Sequence, residues 1–383
     1  MVDLSGTRVG IIGGGIGGLA AGLALSRAGA EIRIFERSTE QRREGIALLV
    51  WANAMRALDR LGLLARIRAC SAPIENTEVR TPTGDILARL PISEWADAPE
   101  HPTVAIRRPD LVAALADTLG RRHVEQGAVL HSFEVVGHRV IARFTSGAEH
   151  ELDILVGADG IGSTVRAQLL GDMPVRNSSQ HAWVGIARGA GKLLAPGTCT
   201  ATIGHGPRFW CAPLENGDAF WYATRHDAPM DPWSMRALAR CYEAWHAPIP
   251  NLLEVTSDID LAYTQVCDRP PCERWGVGPV TLLGDAAHAS TPDLGQGACQ
   301  AIESATVLAA ALSRASDIAS GLRAYERARM DRTATISRLC WLISLNSTAR
   351  NPVFCALRDS IVKVGLRSIA RGPVTWIMAG HVD

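Results

Sequence analysis

The chain has 383 residues, which is enough to bury large cores and to form two domains that share a cleft. Its 39 basic and 39 acidic residues cancel, and this balance excludes the long-range field of a nucleic-acid-binding protein. No stretch has the length and apolar purity of an integral membrane span, and Asp3 contradicts a basic leader. The nine cysteines include no C-x-x-C pair, so we expect reduced thiols, no metal site and a cytoplasmic protein.

The first predicted unit is a strand, a glycine-rich turn and a helix. Residues 8–12 have the pattern of a strand and residues 19–28 that of a helix, and Gly13, Gly15 and Gly18 between them fit G-x-G-x-x-G. The first glycine permits the turn, the second lets the backbone approach a pyrophosphate, and the third lets helix and strand pack closely. An accidental glycine-rich turn is the alternative, but the flanking strand and helix favour an adenine dinucleotide.

A second strand, residues 31–35, ends in Glu36. An acidic side chain about 20 residues beyond the glycine-rich turn can bond both hydroxyls of a ribose. Glu36 therefore supports the prediction of a dinucleotide that the glycines suggest.

A further strand-turn-helix unit is predicted at residues 153–166. A buried strand ends at a turn of small residues that contains Asp159 and Gly160, and a helix begins at Ser163 or Thr164. In one interpretation Asp159 faces a cofactor. In the other, the segment is an ordinary strand-to-helix connection with Ser163 as N-cap, which is also compatible with a site.

The third unit is the most informative part of the chain. A short apolar run ends at Gly284 and Asp285, and the small glycine lets a ligand approach the carboxylate. Pro292 and residues 295–297 then lead into a helical pattern over residues 298–312. We expect the free amide groups at the start of that helix to face an anion.

The end of the chain is predicted to be helical. Residues 318–345 have the pattern of a long helix, and residues 346–383 form a basic segment with apolar positions at helical spacing. Two interpretations of this segment stay open. It is either a surface that contacts a membrane in which a lipophilic substrate dissolves, or a helix packed on the rest of the protein with a solvated basic face.

The three motifs, in this order and at this spacing, resemble those of the flavin-dependent aromatic hydroxylases of the para-hydroxybenzoate hydroxylase fold. The chain is most similar to the small single-component members, such as urate, salicylate and quinolone hydroxylases. Residues 51–53 and 108–111 also match positions that contact FAD in such enzymes. Ala47, Ala52 and Ser304 depart from the family pattern, in which Gly, Pro and Asp are common at these positions.

The resemblance implies an α/β fold with a Rossmann-like FAD-binding domain, an inserted antiparallel β-sheet substrate domain and C-terminal helices. It also implies one non-covalent FAD, with NADPH or NADH and O2 as co-substrates. Together they hydroxylate an aromatic or heteroaromatic small molecule, or a polycyclic one, through a flavin hydroperoxide. The protein itself would be a monomer or a homodimer.

The predicted cofactor site draws on all three motifs and on the further positions that the resemblance implies. Its residues are Gly13, Gly15, Ile16, Gly18, Glu36, Arg37, Arg42, Asn53, Arg108, Asp159, Gly160, Gly284, Asp285, Pro292, Gly295, Gln296, Gly297 and Ala298. Pro292, Gly295 and Gln296 are also predicted to be catalytic. We expect backbone amides at the helix N-terminus to stabilise the negative charge of reduced flavin.

The predicted domains are interleaved along the chain. Strand-helix alternation is expected in the FAD-binding parts, and short antiparallel strands with turns are expected over residues 78–90 and 182–262. The predicted boundaries are residues 1–70, 101–175 and 270–345 for the FAD-binding domain, residues 71–100 and 176–269 for the substrate domain, and residues 346–383 for a C-terminal helical segment.

The substrate is expected to lie against two aromatic-rich strands, residues 208–210 and 220–222, joined by a turn near Asn216. A two-residue turn and a bulged turn would place opposite sets of residues toward the flavin, and ordinary sheet core is the alternative for each aromatic residue. The predicted substrate-binding residues are Arg208, Trp210, Phe220 and Tyr222, of which Arg208 is also predicted to be catalytic.

For two of these residues the resemblance implies a preference for one kind of substrate. Arg208 aligns with a positively charged residue that urate hydroxylases use near the flavin, and its charge would favour an anionic substrate. Phe220 stands where those enzymes have Tyr, which argues against urate itself.

His205, His226 and His246 are candidate bases, although each is better explained as a surface histidine, and His288 is expected to brace the turn of the third motif. Two other function classes would keep every motif. They are a flavin-dependent epoxidase of an alkene in a specialised metabolite, and a flavin oxidoreductase that inserts no oxygen. Product analysis under labelled O2 separates the oxidoreductase from the other two.

Overall fold

The structure is a computed structural model that describes residues 3–39, 47–95, 100–227, 231–347 and 349–380. The strands are β1 (Arg8–Ile12), β2 (Glu31–Glu36), β3 (Ala47–Val50), β4 (Ser71–Pro73), β5 (Asn76–Arg80), β6 (Ile86–Leu90), β7 (Val104–Arg107), β8 (Val124–Gln126), β9 (Leu130–Val136), β10 (Arg139–Phe144), β11 (Glu149–Leu152), β12 (Ile154–Gly157), β13 (Arg176–Ala187), β14 (Thr198–Ile203), β15 (Arg208–Pro213), β16 (Ala219–Arg225), β17 (Leu261–Asp268) and β18 (Val280–Leu282).

The α-helices are α1 (Ile16–Arg27), α2 (Ala52–Arg60), α3 (Leu64–Arg68), α4 (Ile92–Trp95), α5 (Arg108–Leu119), α6 (Thr164–Leu170), α7 (Met235–Arg240), α8 (Ile249–Val255), α9 (Asp285–His288), α10 (Gly297–Arg314), α11 (Ile318–Ser347) and α12 (Pro352–Ala379). Short 3-10 helices lie at Arg121–His123, Gly191–Leu193, Asp258–Asp260 and Pro292–Leu294.

A parallel sheet forms the centre of the first layer, with strand order β18-β12-β1-β2-β8. Its central strands β1 and β12 are buried and consist mainly of β-branched and aliphatic residues, as expected for parallel strands covered on both faces. Helices α1 and α10 pack against each other, and their apolar residues belong to the largest hydrophobic core. The three predicted strand-turn-helix units thus meet at the carboxyl ends of neighbouring strands.

The second layer is a sheet of seven strands in the order β17-β13-β16-β15-β14-β5-β6. Every neighbouring pair is antiparallel except β14 and β5, which are parallel. One face of this sheet packs beneath α7 and α8 in a core that includes Trp183, Phe209 and Trp221. The other face packs toward β3 and β7 of the first layer through a smaller core that includes Phe220 and Ala212.

Three details of the sequence-based description are wrong. Helices α7 and α8 interrupt residues 182–262, where only strands were expected, because the outer face of the sheet needs an apolar cover. Strands β9, β10 and β11 form an antiparallel meander inside a region predicted to alternate between strands and helices. Its turns contain Gly137 and Gly147, whose positive φ angles of 62° and 86° allow tight connections. The parallel pairing of β14 with β5 was also not expected.

The C-terminal helices are tied to the first layer by arginines. The backbone carbonyls of the last helical turn have no partner within the helix. In α12, Arg332 Nη2 bonds the carbonyl of Ile377 at 2.7 Å, and Arg56 Nη2 bonds that of Met378 at 2.6 Å.

The parallel sheet, the seven-stranded sheet and the C-terminal helices together confirm the predicted α/β class with an inserted antiparallel sheet. The predicted domain boundaries stay a prediction.

Candidate active site

The glycines of the first turn have two different roles. A Cβ atom at Gly13, where φ is 108°, would lie 2.4 Å from the carbonyl oxygen of Ala158. A Cβ atom at Gly18 would lie 1.9 Å from the carbonyl oxygen of Gly13. At Gly15 a Cβ atom would have no neighbour within 4 Å. Gly13 and Gly18 thus allow the strands and α1 to approach, whereas Gly15 leaves open space in front of the amide groups of α1, which starts at Ile16.

Glu36 is held at the end of β2 by backbone amides. Its Oε2 accepts a hydrogen bond from the amide of Gly14 at 2.7 Å, and its Oε1 accepts one from the amide of Ser38 at 2.8 Å. Each carboxylate oxygen can accept a further bond. Glu36, Gly15 and Arg108 line a cavity of about 350 Å³. The exposed Arg37 follows Glu36, and Arg42 lies outside the described residues.

Asp285 is the first residue of α9, directly after Gly284, whose φ of 63° favours glycine. The residue is exposed to solvent, and the protein atoms around its carboxylate still remove part of the water. This desolvation raises the pKa of Asp285 above its ordinary value, and the nearby Arg108 opposes the rise. A Cβ atom at Gly297 would lie 3.9 Å from Oδ1 of Asp285, so the carboxylate lies beside the start of α10.

A loop connects α9 to α10. The 3-10 helix that starts at Pro292 ends at Gly295, which has φ of 61°, and Gln296 is the N-cap of α10. The first turn of α10, with Gly297 and Ala298, contains no acidic residue, so its amides offer partial positive charge to an anion. A Cβ atom at Gly295 would lie 3.2 Å from Nε1 of Trp51, a buried donor that has no acceptor in the part of the chain that the structure describes. We refer to residues 291–296 as the 291–296 loop.

The turn between β15 and β16 decides which side chains face this loop. The amide of Leu214 bonds the carbonyl of Asp218 at 2.9 Å, and Gly217 has φ of 81°, so the hairpin has the bulged form. In this register Trp210 is paired with Tyr222 and lies 5.4 Å from it between ring centroids. The four predicted substrate residues share one face of the sheet, namely Arg208, Trp210, Phe220 and Tyr222.

The alternate residues point the other way. Phe209 and Trp221 stack 5.6 Å apart in the core under α7 and α8, so for these two residues the ordinary sheet core is the correct interpretation. The reason is the two-residue period of a strand, which sends neighbouring side chains to opposite faces.

Arg208 connects the seven-stranded sheet to the 291–296 loop. Its buried guanidinium forms an ion pair with the carboxylate of Asp293, and Nη2 donates to Oε1 of Gln180 at 2.6 Å. Its Nε donates to Oγ1 of Thr224 at 3.0 Å. Gln180 Nε2 in turn donates to the hydroxyl of Ser344 on α11. The carboxylate of Asp293 thus neutralises the charge of Arg208, and a contact of Arg208 with an anionic substrate stays a prediction.

Comparison with known proteins identifies the chain. Residues 6–339 match the family described as FAD binding domain. Aurachin C monooxygenase/isomerase from Stigmatella aurantiaca is 34% identical over 363 residues, which cover 94% of each chain. An FAD-dependent urate hydroxylase from Klebsiella pneumoniae subsp. pneumoniae is 31% identical over 332 residues, which cover 84% of this chain and 85% of the relative. The chain belongs to the flavin-dependent aromatic hydroxylases.

Solved structures agree with this family. The Klebsiella pneumoniae protein HpxO in complex with FAD and uric acid has a TM-score of 0.91 and 26% identity, with 98% of both chains covered. A salicylate hydroxylase substrate complex, 21% identical, shares the fold with a TM-score of 0.77 over 98% of this chain and 99% of the other. As predicted, the protein is an FAD-dependent monooxygenase, and NAD(P)H and O2 are the co-substrates of its family.

The residues of this flavin-dependent hydroxylase fit FAD. Open space at Gly15, the carboxylate of Glu36 and the amides of α1 suit a ribose and a diphosphate. The carboxylate of Asp285 and the amides at the start of α10 suit the remaining polar chain and a ring that becomes anionic on reduction. When bound, FAD supplies the redox and oxygen-transfer chemistry, and the chain's own groups bind it, orient it and exclude water.

The carboxylate of Asp159 binds groups of its own strand-turn-helix unit in this hydroxylase. Its Oδ2 accepts the amide of Thr164 at 2.7 Å, and its Oδ1 accepts the hydroxyl of Ser163. Ser163 also caps α6 by accepting the amide of Arg166 at 2.9 Å. Burial raises the pKa of Asp159, and the Ser163 hydroxyl opposes this. The structure thus shows the capping interpretation, with Gly160 facing open space, and a direct contact of Asp159 with FAD stays a prediction.

A buried polar network lies under the 291–296 loop. Asn53 Nδ2 donates to Oε2 of Glu303 at 2.9 Å and to Oε1 of Gln296 at 3.2 Å, so Asn53 supports the loop from below. Burial opposes ionisation of Glu303, but Arg329 and Arg332 hold its pKa below the ordinary value. The sequence analysis did not assign these roles to Glu303, Arg329 and Arg332. Two arginines spaced by three residues on a helix were the only available signal.

The histidines are peripheral to the Arg208 and Asp293 pair. His205 is exposed, Nδ1 of His226 contacts the carbonyl of Ser179, and His246 contacts Thr202. His288 is buried behind the third motif, 3.3 Å from the hydroxyl of Ser304, and burial lowers its pKa to about 3. It therefore stays neutral, and its position is consistent with the expected bracing role. The residues that sequence analysis missed near Arg208 are Asp293, Gln180, Thr224 and Ser344.

Proposed function

We propose that this monooxygenase oxygenates a neutral, lipophilic heteroaromatic ring that lies between the inner face of the seven-stranded sheet and the flavin. Trp210, Phe220 and Tyr222 would form an aromatic wall beside the ring. Asp293 would accept a hydrogen bond from an N–H or O–H group of the substrate. Arg208 would position Asp293 and not bind an anion by itself.

The observation that supports the proposal best is the neutralised pair of Arg208 and Asp293. A buried pair without net charge gives little preference to an anionic substrate. Oδ2 of Asp293 and the hydroxyl of Tyr222 are buried atoms without a hydrogen-bond partner among the described residues, although buried polar groups are normally bonded. Burial also raises the pKa of Tyr222, with Arg208 opposing, so its phenol stays protonated and can donate.

The relatives support the same class of molecule. One is a monooxygenase and isomerase of aurachin C, and others hydroxylate urate. Phe220 lacks the hydroxyl that the urate enzymes have at this position, so a less polar ring than urate fits this wall better.

The test is a panel of heteroaromatic compounds added to the purified holoenzyme with NADH or NADPH. The expected result is that neutral lipophilic heterocycles, such as alkylated quinolones, accelerate NAD(P)H consumption and yield a product that contains oxygen from labelled O2. Urate and salicylate serve as polar and anionic comparisons. Faster coupled turnover with the anionic compounds than with every neutral one would refute the proposal.

Epoxidation of an alkene is a second candidate. Zeaxanthin epoxidase from Nicotiana plumbaginifolia is 32% identical over 363 residues, which cover 88% of this chain and 55% of that protein. The apolar wall of Trp210 and Phe220 would also accept an isoprenoid chain. Locating the labelled oxygen on a ring carbon or on an alkene carbon of the product separates the two candidates.

A further inference from the structure

Helix α12 exposes an apolar stripe on its outer side. Val353, Leu357, Ile361 and Val364 follow the helical spacing of one face, and their exposed fractions are 79%, 59%, 53% and 90%. Phe354 lies beside them and is also exposed. Single exposed apolar residues are ordinary, but a continuous row of five on one helix indicates a surface that binds something.

The stripe is extended by the preceding helix. Leu342, Ile343 and Leu345, in the last turns of α11, are exposed as well. Between them the buried Ser344 bonds Gln180, which bonds Arg208. We call the exposed apolar residues of both helices, together with the basic residues beside them, the α11–α12 surface. Through Ser344 and Gln180 this surface adjoins the seven-stranded sheet.

The α11–α12 surface carries more basic than acidic residues, although Asp227 pairs with Arg350, Asp85 lies near Lys363, and Glu94 lines one cavity with Arg367 and Arg371. Residues 349–380 contain five basic residues and one acidic residue, whereas the complete chain is neutral. Arg358 is bonded to Asp359 and to the carbonyl of Gly204. Lys363, Arg367 and Arg371 are exposed along one edge of the apolar stripe. Apolar side chains with exposed basic residues at their edge are the composition of helices that lie in the interface of an anionic bilayer.

We propose that the α11–α12 surface binds an anionic lipid bilayer, with the apolar stripe inserted between lipid headgroups and the basic edge at their phosphates. The inner side of α12 packs against β6 and α2, so the helix is held along the protein surface. Among the helices of the described ranges, none is both long and apolar enough to cross a membrane.

A second copy of the chain fits this surface less well than a bilayer does. In a two-fold dimer the same surface of both copies meets, which would bring two sets of Lys363, Arg367 and Arg371 together. Like charges in such an interface repel, while anionic lipid neutralises them.

The location has a consequence for catalysis. A lipophilic substrate held in the bilayer would lie near Ser344, which bonds Gln180, and Gln180 bonds Arg208. This consequence rests on the proposed function, whereas binding of the bilayer itself does not.

The experiment is sedimentation of the purified holoenzyme with vesicles of phosphatidylcholine and phosphatidylglycerol, compared with phosphatidylcholine alone. We expect binding to the anionic vesicles that decreases with added salt. Leu357→Asp should weaken it roughly ten- to a hundred-fold, since a leucine side chain no longer leaves water. Lys363→Gln with Arg367→Gln should weaken it roughly 30-fold.

Ile259→Asp is the matched control, because Ile259 has the same exposed fraction as Val353 but lies outside the α11–α12 surface, in a 3-10 helix of the other layer. It should bind vesicles like the wild type, and all variants should keep FAD and their thermal stability. Absence of sedimentation with anionic vesicles would overturn the proposal. So would a stable dimer that Leu357→Asp dissociates, because the surface would then be a protein interface. Sedimentation is measured without substrate, so failure of the proposed function would leave this result unaffected.

Discussion

Arg208 at the start of β15 and Asp293 in the 291–296 loop form an ion pair whose side chains are 1% and 0% exposed. The pair directly links the seven-stranded sheet to the loop that precedes α10. Because either charge alone would be costly to bury, the two elements are held in one relative position. Substrate placement over the flavin would therefore depend on both residues together.

We expect Arg208→Ala to keep FAD bound and reducible by NAD(P)H but to uncouple turnover, so that hydrogen peroxide replaces the oxygenated product. Removal of the guanidinium leaves the carboxylate of Asp293 buried without its partner. The aromatic wall of the seven-stranded sheet would then no longer hold the substrate ring in a fixed position over the flavin. Peroxide and product are measured per NAD(P)H consumed. Arg176→Ala, which breaks another ion pair of the same sheet with the buried Asp268, should stay coupled. Fully coupled turnover of Arg208→Ala at the wild-type rate would exclude it from the site.

We expect Asp285→Ala to bind FAD roughly ten- to a hundred-fold more weakly without unfolding, because a hydrogen bond to a charged acceptor contributes about 1.5 to 3 kcal/mol. The carboxylate is exposed beside Gly297 and should accept a hydrogen bond from a hydroxyl of the cofactor. Affinity is measured by fluorescence titration of the apoprotein. Asp172→Ala, an exposed aspartate after α6, is the control and should bind normally. An unchanged dissociation constant in Asp285→Ala would mean that the motif is only a turn.

Gly15→Ala should affect FAD binding, whereas Gly18→Ala should affect the stability of the fold. At Gly15 the added methyl group meets no protein atom within 4 Å, so the apoprotein should unfold at the wild-type temperature while FAD binding is lost. At Gly18 the methyl group would lie 1.9 Å from a carbonyl oxygen, so the fold itself should be destabilised. Thermal unfolding of both apoproteins and flavin titration test this pair. Equal destabilisation of the two would contradict the assignment of Gly15 to the cofactor.

Acidification should destabilise the protein through His288. Burial lowers its pKa from 6.5 to about 3, so below pH 6.5 the unfolded chain binds a proton that the folded chain does not. This lowers the free energy of unfolding by about 1.4 kcal/mol between about pH 7.5 and about pH 5.5. His288→Asn should lack that part of the pH dependence, as measured by urea unfolding at both pH values. Parallel pH dependences in the two proteins would show that His288 is accessible to protons.

FAD should be released from the denatured protein. The described cysteines are free thiols, and no recognised attachment signal surrounds a cysteine or histidine. After acid precipitation the yellow colour should appear in the supernatant, with the absorption spectrum of free FAD. Flavin that stays with the pellet would indicate a covalent link.

Local chemistry in the sequence was sufficient for the cofactor half of the protein. Glycines at positions 13, 15 and 18 act through steric contacts with their immediate surroundings, and Glu36 acts at the end of its own strand. Periodic apolar patterns fixed α11 to within two residues at its end and α10 to within two residues at either end. Such features depend on neighbours along the chain, so they can be inferred without tertiary contacts.

Only the tertiary structure decided the substrate half. The partner of Arg208 lies 85 residues away, and Asn53 and Glu303 are separated by 250 residues, so neither pairing has a signal in the local sequence. The bulged turn at Gly217 selected Trp210 and Tyr222 over Phe209 and Trp221 as the inner face. A shift of one residue in the register of a strand moves each of its side chains to the opposite face of the sheet. Long-range packing sets that register. The sequence therefore determined which cofactor the protein binds, and the packing of its two layers determined how Arg208 and Asp293 meet.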